Sequence, residues 1–319
     1  MSRIGFHASH EQISPQQLLE DVQRAEAAGF AGAMCSDHIE PWSHAQGHSG
    51  FAWSWLGAAL GATRFPIGVV TVPGYRYHPV VLAHAAATLG TMFPGRFWFA
   101  PGSGEHLNER VTGQAWPPKE VRQVVLEEAI DIIGRLLRGE TVTHHRHIRT
   151  SEARLWDLPD KPVPVLIPAL TTETAHRFAP AVDGLITVNQ PLDGLKGMLE
   201  AFREHNPSGR AVLQVHLSWA ENSDEAWRIA NDQWRTNVLD PPEMAELSAP
   251  EQFEERAKYV SDHTLEQSVN ISPDLGRHAE WIQQYAELGF DEIYLHHVGQ
   301  EQARFIDAFG ENVLPQLRG

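Results

Sequence analysis

The chain has 319 residues, of which 42% are hydrophobic and 21% charged, a balance typical of a globular protein with a substantial core. Its formal net charge of −16 argues against nucleic acid and anionic membranes as partners, because such a surface repels phosphate groups. The single cysteine, Cys35, excludes an internal disulfide, and no apolar run is long enough to be a signal segment or a membrane span. We therefore expect a cytoplasmic protein.

Short apolar runs alternate with amphipathic stretches along the chain, which is the pattern of repeated βα units. Eight strands are predicted, at Ile4–His7, Gly32–Ser36, Pro66–Val72, Arg96–Ala100, Val163–Ile167, Gly184–Val188, Val212–Trp219 and Glu292–His296. The first helix is predicted to begin after Ser14, with Pro15 at its first position and Gln17 completing a capping box, and to end at Gly29.

Later helices are predicted at Phe51–Ala62, Pro79–Met92, Lys119–Leu137, Thr172–Ala179, Leu192–His205, Asp224–Thr236, Asp274–Leu288 and Glu301–Phe309. A hairpin at about 141–149 and extra helical material at about 241–264 lie outside the repeat. A doubly wound open sheet would normally have a Gly-rich turn after its first strand, and this sequence has none there. We therefore expect residues 1–319 to form a single α/β domain, a (β/α)₈ TIM barrel with insertions.

Three of the predicted strands end in segments rich in polar and aromatic side chains. The second strand leads into Ser36–Trp42, the third into Val70–Tyr77 and the fourth into Pro101–Glu109. The carboxyl ends of barrel strands meet at one mouth, so these side chains are expected to converge there. Structural alternatives stay open, since Asp37-His38 could be a loop anchor and Gly102-Ser103-Gly104 a tight turn before a helix.

The eighteen histidines raise a metal-dependent barrel hydrolase as an alternative class. The densest group, His144–His147, falls in the predicted hairpin, where a solvent-exposed face is expected. His7 and His10 lack the His-x-His spacing typical of an amidohydrolase barrel, so no metal site is expected. His296-His297, at the end of the last strand, could line the mouth or simply pack there.

Several segments match a known family in order along nearly the whole chain. They are Ser36-Asp37-His38 with Pro41-Trp42, Gly47-His48 with Trp53-Ser54-Trp55, Arg76-Tyr77 with Pro79, Gly102-Ser103-Gly104-Glu105 with Leu107-Asn108-Glu109, Val163-Pro164-Val165, and Asp183-Gly184. With these segments the sequence resembles the luciferase-like flavin and deazaflavin oxidoreductases. It is most similar to the branch typified by deazaflavin-dependent glucose-6-phosphate dehydrogenase.

The resemblance implies roles for the matched positions. His38 and Trp42 would stand over the reacting carbon of the substrate, with Glu105 as the proton-transfer partner. The residues implied to hold the cofactor are Asp37, Val70, Thr71, Ser103, Gly104, Glu105 and Asn108. At Val70-Thr71 the family has a bulge, often with a non-proline cis peptide. The residues expected on the substrate side are Trp42, His48, Phe51, Trp55 and Tyr75.

Two departures from that branch concern phosphate groups. The positions that hold the sugar phosphate in the branch align near Pro191, Met244 and Ser268, all of which are uncharged here. A glycine pair beside the cofactor phosphate is replaced by Ala169-Leu170-Thr171-Thr172, which still offers hydroxyls at a helix N-terminus. These departures favour FMN as the cofactor and argue against glucose 6-phosphate as the substrate.

The sequence therefore predicts an FMN-dependent oxidoreductase that transfers hydride through flavin N5 and could also monooxygenate a small organic substrate. The first alternative is a dehydrogenase or reductase of an alcohol or sugar-like substrate that depends on the deazaflavin coenzyme F420. The remaining alternatives are a metal-dependent barrel hydrolase and a non-catalytic flavin-binding protein. A homodimer is expected from the resemblance, and a monooxygenase would need a flavin reductase as a partner.

Overall fold

The computed structural model describes residues 2–317, in which eight parallel strands form the predicted TIM barrel. The barrel strands are β1 (Arg3–Ala8), β2 (Ala33–Ser36), β3 (Ile67–Thr71), β4 (Phe97–Pro101), β7 (Leu166–Pro168), β8 (Gly184–Val188), β9 (Arg210–Ser218) and β11 (Glu292–His297). A hairpin of β5 (Val142–His145) and β6 (Arg149–Ala153) lies outside the barrel, and β10 (Asn270–Ile271) pairs with β9.

The strands follow the order β4-β3-β2-β1-β11-β9-β8-β7 around the barrel. A bridge between Phe99 and Val165 joins β4 to the segment before β7 and nearly closes the ring. The strand predicted at Val163–Ile167 begins only at Leu166. Pro164 has no N–H to donate, and its carbonyl accepts a hydrogen bond from Phe99 N at 3.2 Å.

Thirteen α-helices lie between residues 2 and 317. They are α1 (Pro15–Ala28), α2 (Ala52–Ala62), α3 (Pro79–Met92), α4 (His106–Glu109), α5 (Lys119–Leu137), α6 (Thr172–Phe178), α7 (Leu192–Arg203), α8 (Ser223–Trp234), α9 (Pro241–Met244), α10 (Pro250–Ala257), α11 (Asp262–Ser268), α12 (Leu275–Glu287) and α13 (Gln302–Asn312). None of the helices described has both the length and the apolar character needed to cross a membrane.

Most of the residues predicted to start and end helix α1 have the expected roles. Ser14 caps it by accepting a hydrogen bond from Gln17 N at 3.3 Å, and Gly29 ends it with a left-handed φ of 93°. The capping box is only half formed, because the Gln17 side chain donates to Asp21 at 3.1 Å instead of reaching back to the cap.

Side chains from seven of the strands pack the barrel interior. They are Met34, Val70, Trp98, Ala100, Leu166, Ile186, Val212 and Tyr294, of which Trp98 and Ala100 share β4. Glycines make room for the two large rings. A Cβ at Gly5 would come within 2.4 Å of the Tyr294 ring, and one at Gly68 within 1.9 Å of the Trp98 ring. The barrel bottom is closed by Glu292, which forms ion pairs with Arg3 and Arg210.

Side chains alternate between the two faces of a strand, so residues two positions apart face the same side. Each strand therefore has another inward-facing residue close to its carboxyl end, where the mouth lies. We call this set the mouth ring, and it consists of His7, Ser36, Val70, Ala100, Pro168, Val188, Gln214 and His296. Its members on β9, β11, β1 and β2, which are adjacent strands, are polar. Its members on β3, β4, β7 and β8 are apolar. The mouth therefore has one polar and one apolar half.

The two predicted insertions are present with longer bounds. The hairpin extends to Ala153, and the helical insertion comprises α9, α10 and α11 and reaches Ser268. The hairpin is anchored to α5 by Glu128, whose carboxylate lies 2.9 Å from both His144 Nε2 and His147 Nδ1. These two histidines therefore attach the hairpin to α5, while His145, Arg146 and His147 are exposed, as expected for this segment.

Candidate active site

Glu11, His38 and Glu105 lie together at the barrel mouth, after strands β1, β2 and β4. Glu11 Oε1 is 2.8 Å from His38 Nδ1, and Glu105 Oε2 faces His38 Nε2 at 3.9 Å. Ser36 and Ser9 donate their hydroxyls to the two oxygens of the buried Glu11 carboxylate, at 2.5 and 2.9 Å. Glu11 is thus held in place on one side of the imidazole, and Nε2 is the ring nitrogen that faces the second carboxyl group.

The protonation states of His38, Glu11 and Glu105 depend on their burial and on one another's charges. Burial by itself would lower the pKa of His38, but the charge and contact of Glu11, with a smaller contribution from Glu105, raise it from 6.5 to about 9. Burial opposes ionisation of Glu11 as well, yet His38 holds the pKa of Glu11 well below its usual value. Burial raises the pKa of Glu105, against the opposing effect of His38. At neutral pH the site therefore contains an imidazolium–carboxylate pair.

Trp42 covers His38 and is itself held by the helical insertion. Its indole meets the His38 ring edge-on at 5.3 Å, and Phe253 of α10 meets the other side of the indole at 5.1 Å. Trp42, Leu107 and Phe253 form a small apolar cluster of their own. The insertion also contacts the loop after β4, where His106 N donates to Ala245 O at 3.0 Å. The insertion thus supports Trp42 and the start of α4, which follows Glu105.

Asp37 is a structural anchor in this mouth. It is 1% exposed and accepts hydrogen bonds from Thr71 Oγ1 at 2.8 Å, Tyr77 Oη at 3.1 Å and Trp53 Nε1 at 3.2 Å. Arg76 lies 3.6 Å from the same carboxylate. A carboxylate has about four acceptor positions, so these partners use nearly all of them. Asp37 and Thr71 are therefore held by contacts within the protein, and the cofactor contacts predicted for them stay predictions.

Arg76 and Asn108 tie the three strand-end loops together. Arg76 lies 3.7 Å from Glu109 as well as near Asp37, and its backbone N–H donates to Glu109 at 2.8 Å. The buried Asn108 accepts hydrogen bonds from the backbone N–H groups of Ile39 and Glu40 at 2.8 and 3.2 Å. Asn108 therefore fixes the loop that carries His38, and any contact it makes with a cofactor stays a prediction.

The other predicted cofactor residues lie at the edge of the apolar half of the mouth. Val70 belongs to the mouth ring, and Ser103 and Gly104 lie in the turn after β4, where Gly104 has a φ of 83°. Strand β3 pairs with β4 in continuous register, and every peptide bond in residues 2–317 is trans. The bulge and cis peptide expected at Val70-Thr71 are thus not present.

The Ala169–Thr172 segment leads into the seven-residue helix α6. Ala169 is buried, whereas Leu170, Thr171 and Thr172 are exposed. Thr171 is the N-cap, and its hydroxyl oxygen accepts a hydrogen bond from Thr174 N at 3.3 Å. The Thr171 hydroxyl thus accepts one hydrogen bond in capping the helix, and the phosphate contact predicted for Thr171 and Thr172 stays a prediction.

The predicted substrate residues are spread over different environments. His48 is exposed and its backbone N–H donates to Glu11 O at 3.0 Å, and Phe51 is 54% exposed. Tyr75 is half-buried and packs on Trp116. Trp55 is placed in the core, where it is 5% exposed and packs edge-on against His10 at 5.0 Å. Of this group, Trp42 makes a ring contact with His38.

The two histidines at the end of β11 lie in different environments. His296 belongs to the mouth ring, whereas His297 points outward and stacks on Phe305 at 5.0 Å. In residues 2–317, one set of at least three metal-ligating side chains comes close together, namely His176, Glu204 and His205. That set is exposed on α6 and the end of α7, so the hydrolase alternative finds no ligand set at the mouth.

Three sets of residues at or near the mouth are absent from the sequence-based predictions. Glu11 follows β1 just as His38 follows β2, so the strand-end argument could have identified it. Gln214 and His216 lie inside a predicted strand, where only the inward-facing side chains reach the mouth. Phe253 could not be identified, because its contact with Trp42 joins segments 211 positions apart in the chain.

The chain is similar to several known proteins. The model of the luciferase-like monooxygenase family matches residues 1–292. An F420-dependent glucose-6-phosphate dehydrogenase of Intrasporangium calvum is 35% identical, over 100% of both chains. An F420-dependent secondary alcohol dehydrogenase, solved with an F420-acetone adduct, superposes with a TM-score of 0.92 at 29% identity, covering 100% of this chain and 99% of that one.

A coenzyme F420-dependent tetrahydromethanopterin reductase of Methanopyrus kandleri shares the fold, with a TM-score of 0.78 at 18% identity over 98% and 99% of the chains. The chain belongs to the luciferase-like monooxygenase family. It is a flavin- or deazaflavin-dependent oxidoreductase. The glucose-6-phosphate dehydrogenase and the secondary alcohol dehydrogenase are both F420-dependent, so FMN, the cofactor expected from the sequence, finds no support, and the F420 alternative fits better.

Proposed function

We propose that this protein is a coenzyme F420-dependent dehydrogenase of an alcohol that carries no phosphate. The similarity to an F420-dependent secondary alcohol dehydrogenase supports the reaction type. The observation that carries the proposal is the position of His38, with Nδ1 held by Glu11 at 2.8 Å and Nε2 facing Glu105 at 3.9 Å. This arrangement gives an oriented proton-transfer group beside a second titratable carboxyl group.

The chemistry requires both a hydride acceptor and a proton acceptor. Oxidation of an alcohol to a ketone moves a hydride from the carbinol carbon and a proton from the hydroxyl group. Coenzyme F420, when bound, supplies the two-electron acceptor for the hydride. In alcohol oxidation, neutral His38 takes the hydroxyl proton on Nε2. In the reverse reaction, charged His38 donates this proton to the carbonyl oxygen. Glu11 keeps the ring in one orientation throughout.

The residues of the mouth fit a planar ring system. The apolar half of the mouth ring carries the small side chains Val70, Ala100, Pro168 and Val188. In the adjacent turn, a Cβ at Gly104 would come within 2.9 Å of Val72, so the backbone there packs as closely as only glycine allows. Val70, Ala100 and the Ser103-Gly104 backbone would hold the ring, and Thr171-Thr172 would lie toward the phosphate.

The substrate is proposed to be uncharged because the arginines around the mouth are already paired with carboxylates. Arg76 lies beside Asp37 and Glu109, as described above. Arg110 pairs with Glu40 at 2.7 Å, and Arg122 with Glu246 at 2.8 Å. A phosphate would have to compete with these carboxylates for its charge-assisted hydrogen bonds.

Two measurements on the purified protein test the proposal. Titration with F420 and with FMN, followed by fluorescence, is expected to give a dissociation constant for F420 at least ~10-fold lower, which corresponds to ~1.4 kcal/mol. Absorbance should then show reduction of F420 by 2-propanol or a polyol, and much slower reduction by glucose 6-phosphate. Preferential FMN binding would overturn the cofactor, and efficient use of glucose 6-phosphate would overturn the substrate class.

A further inference from the structure

A row of hydrogen-bonded side chains crosses the polar half of the mouth ring. Its first member, Gln12, donates from Nε2 to the backbone carbonyl of Val298. A carbonyl can only accept, so this contact fixes which side-chain atom of Gln12 is the nitrogen. The other atom, Oε1, is an acceptor and lies 2.8 Å from His296 Nε2. His296 must therefore carry its proton on Nε2.

Through Gln214, the position of the proton on His296 determines the position of the proton on His216. Burial holds the pKa of His296 well below 6.5, so its ring is neutral and its Nδ1 is an acceptor. Gln214 Nε2 lies 3.2 Å from this Nδ1 and donates to it. The same Gln214 nitrogen lies 3.1 Å from His216 Nε2, so that atom must also accept. Burial lowers the pKa of His216 to about 3, and the single proton of its neutral ring is therefore on Nδ1.

His216 is placed where a substrate can reach it. It lies on β9, two residues beyond Gln214 of the mouth ring, and so points inward. The outward-facing side chains Leu213, Val215 and Leu217 are at most 1% exposed, whereas Gln214 and His216 are both only partly buried. Trp234 lies against the His216 ring at 4.8 Å and holds it on the other side. The Nδ1–H group is thus a preoriented, uncharged donor at the mouth.

His216 and His38 act at opposite ends of the polar half. They belong to β9 and β2, which are separated by β11 and β1. Three strand spacings of ~4.8 Å place them ~14 Å apart along the barrel wall. A molecule as small as 2-propanol cannot contact both, so a substrate whose reacting hydroxyl meets His38 needs a further oxygen to meet His216.

We propose that His216 donates a hydrogen bond from Nδ1–H to an uncharged oxygen of the substrate remote from the reacting hydroxyl, which makes polyhydroxylated neutral alcohols the preferred substrate class. The inference rests on the proposed dehydrogenase function and extends it. An imidazole that stays neutral selects hydroxyl or carbonyl oxygens without attracting anions. His216 is thus a substrate-binding residue and takes no part in the proton transfer at His38.

The activity test compares 2-propanol with the better substrate of sorbitol and D-glucose, which are long enough to approach the span between His38 and His216. The polyhydroxylated substrate is expected to have the higher kcat/KM. His216→Phe should lower that kcat/KM ~3- to 10-fold, mainly through KM, the range for loss of one uncharged hydrogen bond. The loss for 2-propanol should be smaller, so the ratio of the two kcat/KM values should fall, and His216→Gln, which keeps a donor, should recover part of that ratio. An equal loss for both alcohols, or 2-propanol as the best substrate, would overturn the proposal.

A second measurement does not depend on turnover. Long-range ¹H–¹⁵N spectra of labelled protein, with His216→Phe to assign the signal, should show the His216 proton on Nδ1 from pH 5 to pH 8. The same signal should shift when the best polyhydroxylated alcohol is added and stay in place with 2-propanol. A proton on Nε2, a titration in this range, or no shift with the polyol would contradict the inference. Failure of every alcohol to reduce F420, with this spectrum as expected, would instead reject the proposed function.

Discussion

The Glu11 carboxylate stands 2.8 Å from Nδ1 of His38, and the two residues leave the neighbouring strands β1 and β2. This pairing explains why His38 has a pKa of about 9 although its ring is largely buried. Nδ1 is occupied by Glu11, so proton exchange with a substrate must use Nε2. The protonation of His38 near neutral pH thus depends on a residue in another loop.

Glu11→Gln should shift the pH dependence of alcohol oxidation. Oxidation needs neutral His38, so kcat/KM in the wild type should rise with pH up to about 9. Loss of the Glu11 charge lowers the pKa of His38, so this rise should end at lower pH in the variant. Steady-state kinetics from pH 6 to pH 10 give both profiles. Glu128→Gln removes a histidine-paired carboxylate outside the mouth and should leave the profile unchanged. Coinciding profiles for wild type and Glu11→Gln would contradict this role of Glu11.

Phe253→Leu should slow turnover by loosening Trp42. Phe253 packs on Trp42, which in turn meets His38, so the change acts through two contacts. Small displacements near reacting groups are costly, and a decrease in kcat of ~10-fold is expected with little change in F420 affinity. Phe202→Leu, at another fully buried phenylalanine, is the control for a general loss of packing. If both variants lose the same activity, Phe253 has no specific effect on the mouth.

Strand and helix positions could largely be predicted, because they follow from local periodicity and capping residues such as Ser14 and Gly29. The convergence of His38 and Glu105 followed from barrel geometry alone. The anchoring role of Asp37 was one of two alternatives left open, because its partners Thr71, at the end of β3, and Tyr77, in the loop after it, are brought close only by tertiary contacts. A sequence shows that a carboxylate is at a strand end, but its remaining acceptor positions depend on tertiary contacts.

Gly68→Ala should destabilise the barrel, because the added Cβ would lie 1.9 Å from atoms of the Trp98 ring. Overpacking a core typically lowers the free energy of unfolding by ~1–3 kcal/mol, and this contact is severe enough to reach the upper value. Gly61→Ala in α2 is the matched control, since its Cβ would meet nothing within 4 Å and helix propensity favours alanine by up to ~1 kcal/mol. Urea denaturation measures both, and equal effects would contradict the described interior packing.

Anchoring of the hairpin by Glu128 should make stability depend on pH. Burial opposes ionisation of Glu128, but hydrogen bonds with His147, His144 and the backbone N–H of Ile148 lower its pKa below 4.5. A lowered pKa contributes stability that is present above the usual pKa and is lost as the pH falls through the folded-state value. Glu128→Gln should therefore destabilise at pH 7 and less so near pH 4. A difference in unfolding free energy that is the same at both pH values would refute this anchor.

The most direct test of the whole account is the rate at which a secondary alcohol reduces F420 in His38→Ala, measured by stopped-flow absorbance with cofactor occupancy determined in parallel. A positioned acid or base typically contributes ~10²–10⁴-fold, so the variant should be slower by that factor while its F420 affinity changes little. A wild-type rate in fully occupied His38→Ala would remove His38 from the proton transfer and contradict the proposed mechanism.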